Sequence, residues 1–352
     1  MMFKTFRIGG IHPEENKITA EIETCVAELP QEAFFPLSQH TGAPAVHIVK
    51  KGDKVKVGTK IAEAGGPVSA PVHSSVSGTV TKIGTIIDAT GYSKPVIIIK
   101  TEGDEWEESI DRSDALETLD GHDGLTPEYI ITRIRDAGIT GMGGAGFPTY
   151  VKLTPPSTSK IDCVIINAVE CEPYITSDYR LMMEHADEIL VGVKLVLMAV
   201  SAPVAYIGIE RNKPAAIRLF QEKTIGERSI KIVPLEQKYP QGGEKQLIDA
   251  VTRRQVPDPP AIPANVGTVV VNVGTAFAVY QAVMKNKPLF ERYTSVSGKH
   301  ISQPKNFLVR MGTPISQLID ACGGLPDGDN KIIAGGPMMG KALMTTGVPV
   351  CK

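Results

Sequence analysis

The stretch of this chain best suited to chemistry is Gly141-Met142-Gly143-Gly144-Ala145-Gly146-Phe147-Pro148-Thr149, with four glycines inside six residues. Lacking Cβ atoms, such a segment can adopt positive φ and bring its backbone close to a flat or charged ligand. Its successive N–H groups can then form an anion-binding nest. Formally it satisfies G-x-G-x-x-G, but the dinucleotide fingerprint needs a strand before the loop and a helix after it. Here Pro127 to Asp136 has helical spacing and Phe147-Pro148 follows, so the ordinary Rossmann reading fails on context. A tight turn between a helix and a strand is the competing account, although four glycines exceed what a turn requires.

Composition narrows the chemistry further. The net charge of −2 over 352 residues argues against a nucleic-acid surface, while an anionic small molecule held by backbone amides remains open. The longest apolar run, Ile189 to Val200, is about half the ~20 residues that cross a bilayer and contains Lys194. Met1 to Gly10 lacks a signal-peptide core. Any membrane contact is therefore expected to pass through partner subunits. The five cysteines (Cys25, Cys163, Cys171, Cys322 and Cys351) form no Cys-x-x-Cys pair, which disfavours disulfides, zinc and an iron–sulfur centre within the chain. The seven histidines show no metal spacing, and nothing near Cys171 supplies a base to make it a nucleophile. A reduced, cytoplasmic protein is the simplest account.

Three zones must position the loop. Up to about Glu108, short segments such as Val46 to Val49, Gly78 to Ile83 and Val96 to Ile99 alternate with glycine turns and predict a small β-sandwich or barrel. An acidic stretch from Glu102 to Asp123 reads as a linker or solvated turn. From Leu125 to Phe290 the rhythm becomes α/β. Thr126-Pro127 starts a helix carrying Ile130, Ile131, Ile134 and Ala137. Cys163 to Ile166 and Thr268 to Val271 are continuous apolar runs ending at Asn167 and Asn272, the marks of buried strands. Between them, helices are expected over Leu181 to Val200, Lys213 to Gln221 and Glu244 to Thr252, and strands over Ala205 to Ile209 and Ile230 to Val233. The last zone, with strands at 294–297, 306–310 and 331–334 and a helix over 314–321, suits a β-grasp module.

The motifs resemble a known family. Gly143 to Thr149, with Lys152, is similar to the flavin loop of the NADH-binding subunit of respiratory complex I and its diaphorase relatives. Asn167-Ala168-Val169-Glu170-Cys171-Glu172-Pro173 resembles that family's Asn-Ala-Asp-Glu-Ser-Glu-Pro. Gln241-Gly242-Gly243-Glu244-Lys245 resembles its Gly-Glu-Glu loop, and Val271-Asn272-Val273-Gly274-Thr275 its Val-Asn-Asn-Val-Glu-Thr. Val169, Cys171 and Gly274 depart from the complex I pattern in the direction of the Rnf branch. Lys51 to Val55 and Ser69 to Val80 look like the lipoyl-like barrel that begins the RnfC component of the Rnf electron-transport complex. Ala334 to Gly340 resembles its soluble-ligand-binding module.

The resemblance implies an α/β multidomain chain. An N-terminal all-β barrel-sandwich hybrid (lipoyl-like) spans 1–110 and an acidic linker 111–124. A central Rossmann-like α/β FMN/NADH domain spans 125–292, and a C-terminal β-grasp module, the soluble-ligand-binding type and incomplete, spans 293–352. It assigns FMN contacts to Gly141, Gly143, Gly144, Ala145 and Gly146, with Asn167 and Asn272 pairing with polar flavin edges. The alternative for each Asn is a strand end closing a turn. Thr275 and Lys152 would serve the phosphate, Phe147 would stack on adenine or nicotinamide, and Glu170, Glu172 and Glu244, beside Gly243, would reach ribose hydroxyls or the carboxamide. No side chain is required as a catalytic acid or base, since the flavin carries the chemistry. The family further implies NADH as substrate, two 4Fe-4S clusters in a Cys-rich segment beyond Lys352, and partners among the membrane and ferredoxin-like Rnf subunits. The expected site of action is the cytoplasmic face of the cell membrane, bound peripherally. The turn Glu63-Ala64-Gly65-Gly66-Pro67 holds no Lys for lipoate or biotin, so the first domain is expected to be structural or to dock. Two other functions stay open: a diaphorase subunit of a soluble hydrogenase or formate dehydrogenase, which the lipoyl-like zone disfavours, and a flavin-free soluble-ligand-binding scaffold.

Overall fold

The computed structural model describes residues 3–352. Its first β strands are β1 (Thr24–Val26), β2 (Glu32–Pro36), β3 (Val46–His47), β4 (Lys54–Val55), β5 (Lys60–Glu63), β6 (Val72–His73), β7 (Ser77–Ile87) and β8 (Ser93–Gly103). Two antiparallel sheets, ordered β2-β8-β7-β4 and β3-β5-β6, close on a core of Phe35, Ile61, Val72, Val80, Ile97 and Ile99. This is the expected barrel-sandwich, although the chain does not begin in it. Residues 4–11 run along the central domain, where Lys4 bridges Leu235 and Ile11 bridges Tyr239. Phe6 is buried there among Ile165, Val233 and Leu247.

The first part of the acidic stretch is fastened to the central domain, and residues 112–124 beyond it are mostly exposed. Trp106 stacks edge-on against Phe290 at 5.2 Å, Ile110 is buried, and Lys285 donates to Asp111 at 2.5 Å. Two apolar anchors and an ion pair outweigh the segment's average polarity.

The central domain contains α1 (Pro127–Asp136), α2 (Thr149–Lys152), β9 (Cys163–Ala168), α3 (Ser177–Glu184), α4 (Ala186–Ala199), β10 (Ala205–Glu210), α5 (Pro214–Lys223), β11 (Ile230–Leu235), α6 (Glu244–Thr252), β12 (Thr268–Asn272) and α7 (Val273–Met284). Thr126 caps α1 through its hydroxyl, which accepts from Tyr129 N, and Pro127 occupies the first turn. The four strands are parallel in the order β11-β10-β9-β12. Both faces are covered, since successive strand residues point to opposite sides: Val164 and Ile166 lie on the side of α4 and α7, while Ile165 lies on that of α6. The close crossing of α4 and α7 depends on Gly192, where a Cβ would collide with the Ala276 carbonyl.

One helix was expected over Leu181 to Val200, and two are found. His185 (φ −136°, ψ 40°) breaks the run, with its ring fixed between Glu188 Oε1 at 2.9 Å and Tyr293 Oη at 2.8 Å. Tertiary hydrogen bonds override local helix propensity here.

The last zone holds β13 (Glu291–Val296), β14 (Lys305–Arg310), α8 (Ile315–Ala321), β15 (Ile333–Ala334) and β16 (Lys341–Ala342). Its main sheet is completed from the other end of the chain, where β1 pairs in parallel with β14. A three-residue strand carries no period, so that pairing was invisible in the sequence.

Candidate functional site

In the sheet order β11-β10-β9-β12 the chain winds one way from β9 and returns to its other side, so the topological switch lies between β9 and β12. Open α/β sheets bind ligands beyond the carboxyl ends of strands at such a point. Asn167 and Asn272 are register partners at those two ends. Two isolated apolar runs that each ended in Asn are thereby brought side by side.

Asn272 is the N-cap of α7. Its Oδ1 accepts from Gly274 N at 2.9 Å and Thr275 N at 3.3 Å, while Nδ2 donates to Asp178 Oδ2 at 2.7 Å. Asn167 Nδ2 donates to Gly242 O at 2.9 Å, and its Oδ1 accepts from Val169 N at 3.3 Å. Both amides therefore organise turns beyond the carboxyl ends of β9 and β12. Asn167 links the 169–172 turn to the 241–244 loop, and Asn272 shapes the start of α7.

The glycine loop lies against Asn272 at the end of β12. An antiparallel bridge between Thr140 and Pro148 closes its base, and Gly141 N donates to Phe147 O at 2.8 Å. Met142 N donates to Thr275 Oγ1 at 2.9 Å, which ties the loop to α7. Gly143 faces Asn272, where a Cβ would lie 3.4 Å from the Asn272 Cβ. Gly144 has φ +118° with open space around it, and Gly146 has φ +58°. Gly143, Gly144 and Ala145 are exposed, and their amides make no close hydrogen bond within the protein among the described residues. A glycine-rich bend with free amides next to two strand-end amides fits a flat, anionic group such as a flavin nucleotide.

Several predicted residues stand elsewhere than in the open mouth. Thr275 is buried, its hydroxyl engaged by Met142 and its amide by Asn272, so it supports the loop from beneath. Lys152 pairs with Glu244 at 2.7 Å and donates to Val270 O at 3.1 Å, on the unpaired edge of β12. Phe147 is half-buried at the foot of the glycine loop, and Gly243 is the N-cap of α6. Glu170, at φ +53°, caps α3: its carboxylate accepts from Asp178 N at 2.7 Å and Tyr179 N at 3.4 Å. Glu172 accepts from Met338 N at 2.9 Å and Met339 N at 2.8 Å, binding the last domain to the crevice rim. In this structure the carboxylates of Glu170, Glu172 and Glu244 are all held by protein groups. The physical reason is that each faces a nearby helix start, turn amide or ammonium.

Beneath the 169–175 turn lies an ionic knot that sequence reading missed. Lys17 Nζ donates to the carbonyls of Glu170, Glu172 and Ile175 at 2.8, 2.8 and 2.6 Å, and Lys213 Nζ to that of Val169 at 2.7 Å. Burial raises the pKa of Glu170 and Glu210, with Lys17 and Lys213 opposing the rise. Asp178 is pushed up to about 7, first by burial and then by the Glu170 charge. No sequence signal marked Asp178, since an Asp in the first turn of a helix is ordinary.

Comparison with known proteins agrees with this geometry. Residues 4–104 match the RnfC barrel sandwich hybrid domain, 134–281 the Nuo51 FMN-binding domain and 293–342 the SLBB domain. The chain is 44% identical to the C component of the proton-translocating ferredoxin:NAD(+) oxidoreductase complex of Clostridium ljungdahlii, over 100% of this chain and 75% of that protein. It is 41% identical to the Na(+)-translocating counterpart of Acetobacterium woodii, over 99% and 77%. It is 40% identical to the C component of the ion-translocating oxidoreductase complex of Rhodobacter capsulatus, over 98% and 66%. Among solved structures, an NAD+-reducing NiFe hydrogenase in the air-oxidized state shares the fold, with a TM-score of 0.51 and 24% identity over 66% of this chain and 47% of that one. An FMN-domain sheet with its switch point between Asn167 and Asn272, preceded by a barrel-sandwich and followed by an SLBB module, places the chain in the RnfC family, a component of the Rnf ion-translocating oxidoreductase complexes.

Proposed function

We propose that this chain is the NADH-reacting, FMN-bearing subunit of an ion-translocating ferredoxin:NAD oxidoreductase, passing electrons between NAD(H) and iron–sulfur centres. The observation that carries the reading is the pairing of Asn167 with Asn272 at the sheet's switch point, beneath a glycine loop whose tip amides are free. FMN, when bound, accepts hydride from the nicotinamide and can release electrons singly. The Gly143–Ala145 amides would hold its polar or anionic groups. Asn167 and Asn272 would shape the floor beside it, and Phe147 would offer a face for stacking. Thr275 acts through Met142, keeping the loop at its height above α7. Because no side chain need exchange a proton with the nicotinamide carbon, the residues' work is orientation and exclusion of water.

No helix among the described residues is long and apolar enough to cross a membrane, so contact with a membrane assembly would run through other subunits, on the cytoplasmic face. The 4Fe-4S clusters and the ferredoxin-like partner belong to the same proposal. It is tested by FMN titration followed by anaerobic NADH addition. Saturable binding and bleaching of the flavin band near ~450 nm are expected, and bound FMN that NADH leaves oxidised would refute the assignment.

A further inference from the structure

The free tip of the glycine loop is fixed at both shoulders, and the two fixings come from different domains. On one side Met142 N donates to Thr275 Oγ1 of α7 at 2.9 Å. On the other, Thr41 of the barrel-sandwich domain donates through Oγ1 to Ala145 O at 2.6 Å, and its amide donates to Gly146 O at 3.1 Å. Gly146 is buried against this segment, and a Cβ there would lie 3.5 Å from Gln39 O and from His40 Cα. Because the carbonyls of Ala145 and Gly146 are both engaged, the peptide planes on that side of the tip are set from outside the flavin domain. Those planes carry the Gly146 and Phe147 N–H groups, and fixing the Ala145–Gly146 plane limits the rotation left to the preceding amides of Gly143 to Ala145.

The platform behind Thr41 is stiff. His40 Nε2 accepts from Ala70 N at 3.0 Å, Ala43 N donates to Val68 O at 2.9 Å, and Ser69 Oγ donates to Ala43 O at 2.8 Å. At Gly42, φ is +108° and a Cβ would collide with the Val68 carbonyl, so the two strands of backbone touch. The turn that lacks a carrier lysine lies beside the same contact, with Tyr150 Oη donating to Pro67 O at 2.6 Å. A lipoyl-like fold without a carrier residue has thus placed the corresponding turn against the flavin domain.

We infer that Thr41 is a positioning residue for the glycine loop, through which the barrel-sandwich domain holds the Gly143–Ala145 amides in the arrangement that receives FMN. This rests on the FMN reading above. Thr41 touches no reacting atom. It acts by keeping the nest formed before the ligand arrives, so that less ordering cost falls on binding.

The test uses the whole chain and three variants. Thr41→Val removes the hydroxyl while preserving shape and the backbone bond, Thr41→Ser restores the hydroxyl, and Tyr150→Phe loosens the same interface away from the loop. Loss of one hydrogen bond corresponds to a change of about 3- to 10-fold in an equilibrium constant. Thr41→Val is expected to weaken FMN binding by about that factor, Thr41→Ser to recover it, and Tyr150→Phe to leave it within about twofold. Independently of any ligand, Thr41→Val should speed amide exchange at Thr41, Gly141 and Met142 without altering exchange in β9 or β12. FMN affinity unchanged in Thr41→Val, or weakened equally in Tyr150→Phe, overturns the inference while the flavin reading stands. If the native chain binds no FMN, the flavin reading fails, and unaltered exchange in Thr41→Val would then defeat the bracing as well.

Discussion

Replacing Asp178 by Asn is expected to stabilise the protein above neutrality and to destabilise it in acid. Asp178 opens α3 beneath the crevice, where Oδ2 accepts from Asn272 Nδ2 at 2.7 Å. The groups facing it are the Glu170 carboxylate, which takes the Asp178 amide at 2.7 Å, and the cations Arg292 from β13 and Lys213 from α5's start. Burial, then the charge of Glu170, raises its pKa from 3.8 to about 7. In the unfolded chain the proton leaves near 3.8, whereas the folded chain keeps it until about 7. Between those values the folded state binds more protons, so this group's contribution to stability is complete below pH 3.8, falls as pH rises to about 7, and is constant above. At ~1.36 kcal/mol per pH unit, the whole interval amounts to roughly 4 kcal/mol. Asn is neutral throughout and retains an oxygen for Asn272, but its amide needs a new acceptor, and an unmet donor costs about 1–3 kcal/mol. The expected net effect is therefore a gain of about 2 kcal/mol near pH 8 and a loss of about 1–2 kcal/mol near pH 4. Urea unfolding of both proteins at those two pH values measures it as a shift in midpoint at constant slope. A variant less stable than the native protein at the higher pH, or a difference that does not vary with pH, would refute the placement of a protonated carboxyl under Asn272.

Two further substitutions probe the rim. In Gly336→Ala the new Cβ would fall on the Glu172 carboxylate, which must leave the amides of Met338 and Met339; two such bonds correspond to about 2 kcal/mol, to be seen as faster amide exchange over residues 333–342 and a lower unfolding midpoint. Lys152→Met removes a half-exposed ion pair with Glu244 and a bond to Val270 O; stability should fall by no more than about 1 kcal/mol, so a drop in FMN affinity of tenfold or more on titration would assign the ammonium to the ligand, and an unchanged affinity would assign it to the edge of β12.

The frame of the site was legible because its signals are local. A continuous apolar run ending in Asn describes a buried strand and its last residue, and Thr126-Pro127 describes a helix start whatever follows. Four glycines in six residues describe a bend. The uses of the polar side chains were not legible, since each depends on a neighbour distant in sequence. Glu172 meets amides 166 and 167 positions away, Asn272 meets Asp178 across 94 positions, and Lys17 meets the turn after β9 across more than 150. The helix break at His185 has the same origin, in a ring held by Tyr293 from the next domain. The strand Thr24–Val26 was missed because its partner lies at Asn306–Leu308.

Those long-range contacts share a direction. The N-terminal segment enters the ionic knot through Lys17, the barrel-sandwich reaches the glycine loop through Thr41, and the SLBB module grips Glu172 and sends Arg292 toward Asp178. The central domain supplies the two Asn residues, the bend and the Glu170 and Asp178 carboxyls beneath Asn272, but the orientation of the bend and the pose of the 169–175 turn are set from outside it. A central domain cut free at residues 125–292 would keep its motifs and lose Lys17, Thr41 and the Met338 and Met339 amides together. The motifs that match the FMN-binding domain therefore reside in one domain, whereas the contacts that pose its loop and turn come from all three.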